Sequence, residues 1–327
     1  MTTRLARYTL IASLCVSNIS IEAQESKNIP RLGYLTAGTK DNDSERLAVF
    51  REALRELGLV EGRNILIEYR LAEGKLDRLP ELAAGLSRLN VNVIVTAGNE
   101  AVQAAKNATK TIPIVMAFSG DPVGAGFVTS LARPGGNITG LSRLNIELSA
   151  KRLQLLKETV PSATRIAVLF NPEGRVPALA LKEVQAAAQR LGVKLQALEM
   201  KAAQDIENAF QSAVRERAGA VMTLSGGFTG FYRTRIVELA AKSGLPGMYN
   251  NSQFVEAGGL MSYASDQREE FRRAAVYVDK VLKGTKPSDL PVEQPTKFEL
   301  VINLKAARQI TLAIPPNVLA RADRVIK

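Results

Sequence analysis

Histidine and tryptophan are absent from this 327-residue chain, and Cys15 is its only cysteine. Without histidine there is no Ser-His-Asp or Cys-His nucleophile system and no imidazole-ligated metal. A single cysteine excludes an intramolecular disulfide, a CxxC redox pair and a thiolate metal cluster. Aromatic residues make up 5% of the chain, too few for a base-stacking platform. The formal charge is +11, but the 43 Lys and Arg are interspersed with 32 Asp and Glu and form no dense basic run. That pattern is a solvated basic surface, with no nucleic-acid partner expected. No G-x-G-x-x-G opens a helix and no P-loop pattern occurs; Gly124-Ala125-Gly126 is only a fragment. Neither cofactor nor metal nor enzymatic activity is expected.

What is present begins with an export signal. Arg4 and Arg7 form a basic start, Leu10 to Val16 a short apolar core, and Ala23 a cleavage edge, so residues 1–23 are expected to be removed. The mature chain is then periplasmic. Ala12-Ser13-Leu14-Cys15 approximates a lipobox, but Leu14 stands where a small residue is wanted, and Cys15 is expected to leave with the signal. No later segment has the roughly 18 consecutive apolar residues of a membrane span.

From Arg31 the pattern alternates strand and helix. Leu32 to Leu35 reads as a strand, Ser44 to Leu57 as a helix with Leu47, Phe50, Leu54 and Leu57 on one face, and Ile65 to Tyr69 as a strand. Leu79 to Leu89, Val91 to Thr96, Glu100 to Ala108 and Ile112 to Phe118 continue the alternation. The second half retraces it, from the strand Arg165 to Phe170 to the short strand Gly247 to Tyr249. Even the punctuation corresponds, Leu57-Gly58 with Leu191-Gly192 and Ile112-Pro113 with Leu245-Pro246. The fold class is therefore α/β, two Rossmann-like doubly wound lobes with parallel sheets.

After these halves come a strand at Leu260 to Ser265, a helix at Arg268 to Leu282, a strand at Phe298 to Asn303 and a closing helical tail. Their expected use is to re-cross between lobes and make a multi-stranded hinge of three crossings, the first at Pro134 to Gly140. The expected division is 30–140 plus 262–284 for the N-terminal lobe and 141–261 plus 285–327 for the C-terminal lobe.

In open α/β sheets small ligands bind at the carboxyl ends of the strands. The loops there are Thr36 to Gly38, Ala97 to Glu100 and Ser119 to Gly124 in the first half, and Asn171-Pro172, Ser225 to Phe228 and Tyr249 to Ser252 in the second. Asp121 before Pro122 reads as the cap and first turn of a helix, with a carboxylate that could also accept from a ligand ammonium. Asn99 reads as a helix cap, and Glu100 as a first-turn charge in preference to a cleft residue. Asn171 is a turn residue or a ligand contact, and Ser225-Gly226-Gly227 a turn or a carboxylate cradle. Tyr249 and Asn250 offer a ring wall and an amide, although a tyrosine beside a sheet is as readily core.

Three stretches carry a resemblance: TKTIPIVMAFSGDPVGAGFVTSLARPGGNITGLS, the earlier FREALRELGLVEGRNILIEYR, and the final FELVINLKAARQITLAIPPNVLARADRVI. Together they resemble the ABC transporter substrate-binding protein family related to tryptophan- and tyrosine-type binding proteins, over essentially all of the chain after the signal. The resemblance implies a type I periplasmic binding protein whose two lobes, joined by three crossings, close on a small ligand and deliver it to a membrane permease. It implies a ligand that is an aromatic or other apolar amino acid, or a small carboxylate, bound by a monomer. The family's cleft loops fall on Thr36, Gly98, Asn99, Ser119, Asp121, Pro122, Asn171, Ser225, Tyr249 and Asn250. Two features depart from the pattern: Gly227-Phe228 crowds one loop, and tryptophan is missing. A sensory protein presenting its closed form to a membrane receptor is the alternative.

Overall fold

A computed structural model describes residues 29–327, so the expected signal segment and Cys15 lie outside the described residues. The first lobe is built from β1 (Arg31–Thr36), α1 (Ser44–Glu56), β2 (Leu66–Leu71), α2 (Leu79–Arg88), β3 (Val93–Ala97), α3 (Asn99–Ala108), β4 (Ile114–Ser119) and β5 (Ile138–Ser142). Leu47, Phe50, Ala53 and Leu54 share the buried stripe of α1, the three- and four-residue spacing that a helix on a sheet requires. Strand residues divide by parity: Val93 and Val95 enter the layer under α1, and Ile94 enters the layer under α2 and α3. Each such side chain contributes roughly 1.5–3 kcal/mol when fully buried, which is why both faces of the sheet are apolar.

The second lobe follows with α4 (Glu147–Thr159), β6 (Arg165–Phe170), α5 (Arg175–Leu191), β7 (Lys194–Glu199), α6 (Ala203–Arg215), β8 (Ala220–Thr223), α7 (Gly227–Phe231), α8 (Arg233–Lys242), β9 (Gly247–Tyr249), α9 (Ser252–Glu256) and β10 (Met261–Ser265). The chain then returns to the first lobe as α10 (Gln267–Leu282), whose Phe271, Ala274, Ala275 and Val278 pack in the core beneath α1. It ends in the second lobe with β11 (Phe298–Asn303), α11 (Leu304–Gln309), α12 (Pro316–Leu319) and β12 (Arg324–Ile326).

Both sheets have the same winding. The first runs β2-β1-β3-β4-β5, all parallel. The second runs β7-β6-β8-β9-β10, parallel in the same order, then β11 antiparallel to β10 and β12 parallel to β11. In this order the topological switch lies between β1 and β3 in one lobe and between β6 and β8 in the other, and the loops leaving those strands frame a crevice.

Three segments join the lobes: Arg143 to Ile146, Ser265 to Gln267, and Glu293 to Phe298. The first and third run side by side, with Ser142 N–H donating to the Glu293 carbonyl at 2.8 Å. The Arg143–Glu270 ion pair ties the first to the second: Arg143 Nε lies 2.8 Å from Glu270 Oε1, and both side chains are buried. Ser265 Oγ donates to the same Glu270 oxygen at 2.5 Å.

Four expectations shift. The first crossing is not at Pro134 to Gly140, because Ile138–Ser142 is itself a buried strand paired with β4. Residues 262–265, expected in the first lobe, pair with β9 and β11 in the second sheet. Residues 285–293 stay with the first lobe, where Leu290 is core and Val292 N–H donates to Leu131 O at 2.7 Å. No helix begins at Asp121-Pro122: the segment makes a single turn and unwinds at Gly126, whose φ of +67° reverses the chain.

Candidate functional site

The two crevices face each other and enclose one cavity of about 460 Å³ lined by both lobes. The first lobe presents the β1 exit (Thr36, Ala37, Gly38), the start of α1 (Asn42, Asp43, Arg46), the β3 exit (Gly98, Asn99, Glu100) and Phe118. Across from them stand Asn145 of the first crossing, the start of α5 (Arg175, Val176), Ser225 and Gly226 after β8, Phe231 and Arg233, and Asn250 after β9.

The lobes touch around this cavity. Gly227 N–H donates to Glu100 Oε1 at 3.3 Å, Asn42 Nδ2 donates to the Phe231 carbonyl at 3.3 Å, and Arg233 Nη2 donates to the Asn42 carbonyl at 3.1 Å. Gly120 sits against Val176, where a Cβ would lie 2.8 Å from Val176 Cγ2, so only glycine permits this approach. Arg175 Nε pairs with Asp121 Oδ2 at 3.2 Å. This is a closed arrangement of the two lobes.

Of the anticipated residues, Thr36, Gly98, Asn99, Ser225 and Asn250 line the cavity. Asn99 is not a cap: Gly98 takes that position, and Asn99 Oδ1 instead accepts from Gly120 N–H at 2.7 Å and Ser119 Oγ at 3.2 Å, bracing the β3 and β4 exits. Ser119 is fully buried by that bracing, and Pro122 lies buried beneath the following turn. Asp121 spends its carboxylate on Gly124 N–H at 2.9 Å and on Arg175, and does not face the cavity. Asn171 folds its side chain onto Glu173 N–H at 2.8 Å as a turn residue. Tyr249 is core: 1% exposed and stacked on Phe254 at 4.9 Å, with its hydroxyl titration pushed far up by burial.

Arg46, Arg143 and Arg233 were not anticipated, and Glu100, weighed as a cleft residue but read as a first-turn charge, lines the cavity with them. Arg143 lays its guanidinium over the Phe118 ring, 3.5 Å from the centroid, while Arg46 reaches the same ring at 5.6 Å. Burial pulls Arg143 below its usual value and Glu270 opposes this, so the cation is held by its partner. Arg46 also pairs with Asp43 at 3.1 Å. Glu100, by contrast, has no cationic partner among the described residues, and Arg233 no acidic one. Apart from the local Arg46–Asp43 pair, the partners of these groups come from the opposite lobe or from the distant α10, which sequence spacing does not mark. Among the described residues no cluster of acids could hold a metal ion, and no helix is long and apolar enough to cross a membrane.

Two doubly wound lobes around a closed, ligand-sized cleft define a two-lobed binding protein of the type I periplasmic class. The chain belongs to the ABC transporter substrate binding protein family, whose profile matches residues 41–326. It is 26% identical over 255 residues to a tyrosine-binding protein of Clostridioides difficile, covering 78% of this chain and 73% of that one. Its fold resembles a conserved domain protein of Vibrio cholerae (TM-score 0.84, 28% identity, covering 91% of this chain and 99% of that one). It also resembles an ABC domain from Streptococcus pneumonia in complex with L-Trp (TM-score 0.83, 25% identity, 91% and 99% covered).

Proposed function

We propose that this protein is the extracytoplasmic solute-binding component of an ABC importer and that its ligand is an amino acid with an aromatic or apolar side chain. The observation that carries the ligand class is the cavity's chemistry. A carboxylate without a cationic partner, Glu100, faces a polar second-lobe wall of Asn145, Ser225 and Asn250 in one 460 Å³ space beside the rings of Phe118 and Phe231. An ammonium group, a carboxylate and an apolar side chain answer those three features. The tyrosine-binding relative and the L-Trp complex support the same class.

A ligand touching both lobes gains contacts only when they are closed, and so shifts the population toward the closed form. That form is what a permease would read. The chain would work as a periplasmic monomer, without catalytic chemistry. A sensory role presenting the same closed form to a receptor is not favoured by any residue in the cleft.

The test is a melting screen against the common L-amino acids. At about 100 times Kd, one-site binding raises stability by about 2.7 kcal/mol, which corresponds to a shift of roughly 5–10 °C. Because the chain lacks tryptophan, L-tryptophan binding can also be followed by the ligand's own indole emission. A flat response across the panel contradicts the reading.

A further inference from the structure

Arg152 of α4 is 1% exposed and has no acidic partner within ion-pair distance among the described residues. A buried cation is normally neutralised by a carboxylate, because its desolvation is otherwise uncompensated. Here the guanidinium is held only by neutral acceptors. Nε donates to the Tyr263 carbonyl at 2.7 Å, Nη1 to the Asn145 carbonyl at 3.2 Å, and Nη2 to Asn145 Oδ1 at 3.1 Å. Burial, reinforced by the neighbouring Arg143, pushes it down to about 9, so it remains charged at neutral pH.

The hydrogen bonds that lead from Arg152 run to the cavity wall. A guanidinium has no acceptor, so the Asn145 amide must turn its oxygen inward. Its Nδ2 then donates to Ser225 Oγ at 3.0 Å. That bond takes one of the two lone pairs, and the Ser225 hydroxyl keeps its own proton for the cavity. Asn250 behaves alike: its Oδ1 accepts from Thr223 Oγ1 at 3.2 Å, leaving the Nδ2 donor free. Asn145, Ser225 and Asn250 all line the cavity, and this wall keeps two free donors, the Ser225 hydroxyl and Asn250 Nδ2. A wall of donors backed by an unneutralised charge is built for an anion.

We infer that the Ser225–Asn250 wall is the carboxylate subsite and that Arg152 is its positioning residue, with the ligand carboxylate as its missing counter-ion. This rests on the amino-acid reading above and assigns the two ends of the ligand: ammonium toward Glu100 of the first lobe, carboxylate toward the second. Arg233, whose donors go to the Gly230 and Asn42 carbonyls, closes the mouth instead.

The experiment is calorimetric titration of the full chain with L-tryptophan, L-tyrosine and L-leucine, each paired with its carboxamide, in wild type, Arg152→Met, Arg152→Lys, Ser225→Ala and Arg233→Met. The wild type should prefer acid over amide by at least tenfold. Arg152→Met should collapse that preference while leaving amide affinity near wild type, and Arg152→Lys should restore most of it. Ser225→Ala, which alters no core packing, should reduce the preference even if Arg152→Met fails to fold. Equal binding of acid and amide by wild type overturns the subsite while leaving the binding function intact. Equal losses for acid and amide in Arg152→Met reduce Arg152 to a structural role and overturn the assignment. So does a preference lost in Arg233→Met but kept in Arg152→Met and Ser225→Ala. No binding of any of the three acids contradicts the amino-acid reading itself and removes the subsite with it.

Discussion

Asp121 in the first lobe and Arg175 in the second pair at 3.2 Å across the mouth of the cleft. The pair exists only when the lobes are closed, so it stabilises the closed form alone. Its side chains are 22% and 54% exposed, and exposed pairs contribute about 0.2–1 kcal/mol. Asp121→Asn keeps an acceptor for Gly124 N–H but removes the charge. We expect affinity for the best-binding amino acid to fall by less than about fivefold at low ionic strength, and the difference to vanish near 1 M salt, where the Debye length is about 3 Å. A calorimetric titration at two salt concentrations checks this. A loss of a hundredfold would put Asp121 in contact with the ligand after all.

The hinge behaves differently because its pair is buried. Arg143 and Glu270 are 7% and 6% exposed, and removing one partner of such a pair strands the other, at a cost of about 3–5 kcal/mol. Glu270→Gln should lower the urea midpoint sharply, and adding Arg143→Met should recover much of it. If the double variant is no better than the single one, the stranded-charge account is wrong.

Acid should weaken the third crossing. Burial would raise the Glu293 carboxyl, but the hydrogen bond and charge of Arg273, with Tyr277 and Lys280, hold it below the usual 4.5. A folded value below the unfolded one means the contribution is complete above the unfolded value and is lost as pH falls through the folded one. Glu293→Gln should therefore be less stable than wild type at pH 7, by less than about 1 kcal/mol because the pair is over one-third exposed, and the gap should close as pH falls below 4.5 through the depressed folded value. Thermal melts across this range measure the gap, and a gap that widens toward acid would reverse the sign.

Tyr249 separates core from cleft. Tyr249→Ala should cost about 3–5 kcal/mol through the lost Phe254 stack and the cavity left behind. Tyr249→Phe should leave ligand affinity unchanged. A tenfold affinity loss in the phenylalanine variant would return this hydroxyl to the binding site.

That tyrosine illustrates which parts of the molecule were legible in the sequence. Strand-helix alternation is a local signal, and it located the helices from Ser44 and Leu79 and the strands at Arg165 and Gly247 almost to the residue. The winding order then placed the cleft loops, so Thr36, Gly98, Asn99, Ser225 and Asn250 fell on the cavity wall. Which way a side chain turns from a loop is set by partners far along the chain. Asp121 is taken by Arg175, and Asn171 by its own turn. Glu100 read as a first-turn charge because its neighbour Gly227 is 127 residues away. The strand Ile138–Ser142 was hidden because Gly140 at its centre is a poor strand former, held there by burial between β4 and the returning chain.

The most direct test of the account is the ammonium contact at Glu100. Calorimetric titration of wild type should give one-to-one binding of at least one aromatic or apolar L-amino acid. Glu100→Gln, which keeps an acceptor for Gly227 N–H, should weaken that ligand by about 10- to 100-fold, the range expected for a charged hydrogen bond. It should bind the N-acetyl derivative, which has no ammonium, no worse than wild type does. Equal affinity of Glu100→Gln and wild type for the free amino acid, or no binding of any amino acid by wild type, would contradict it.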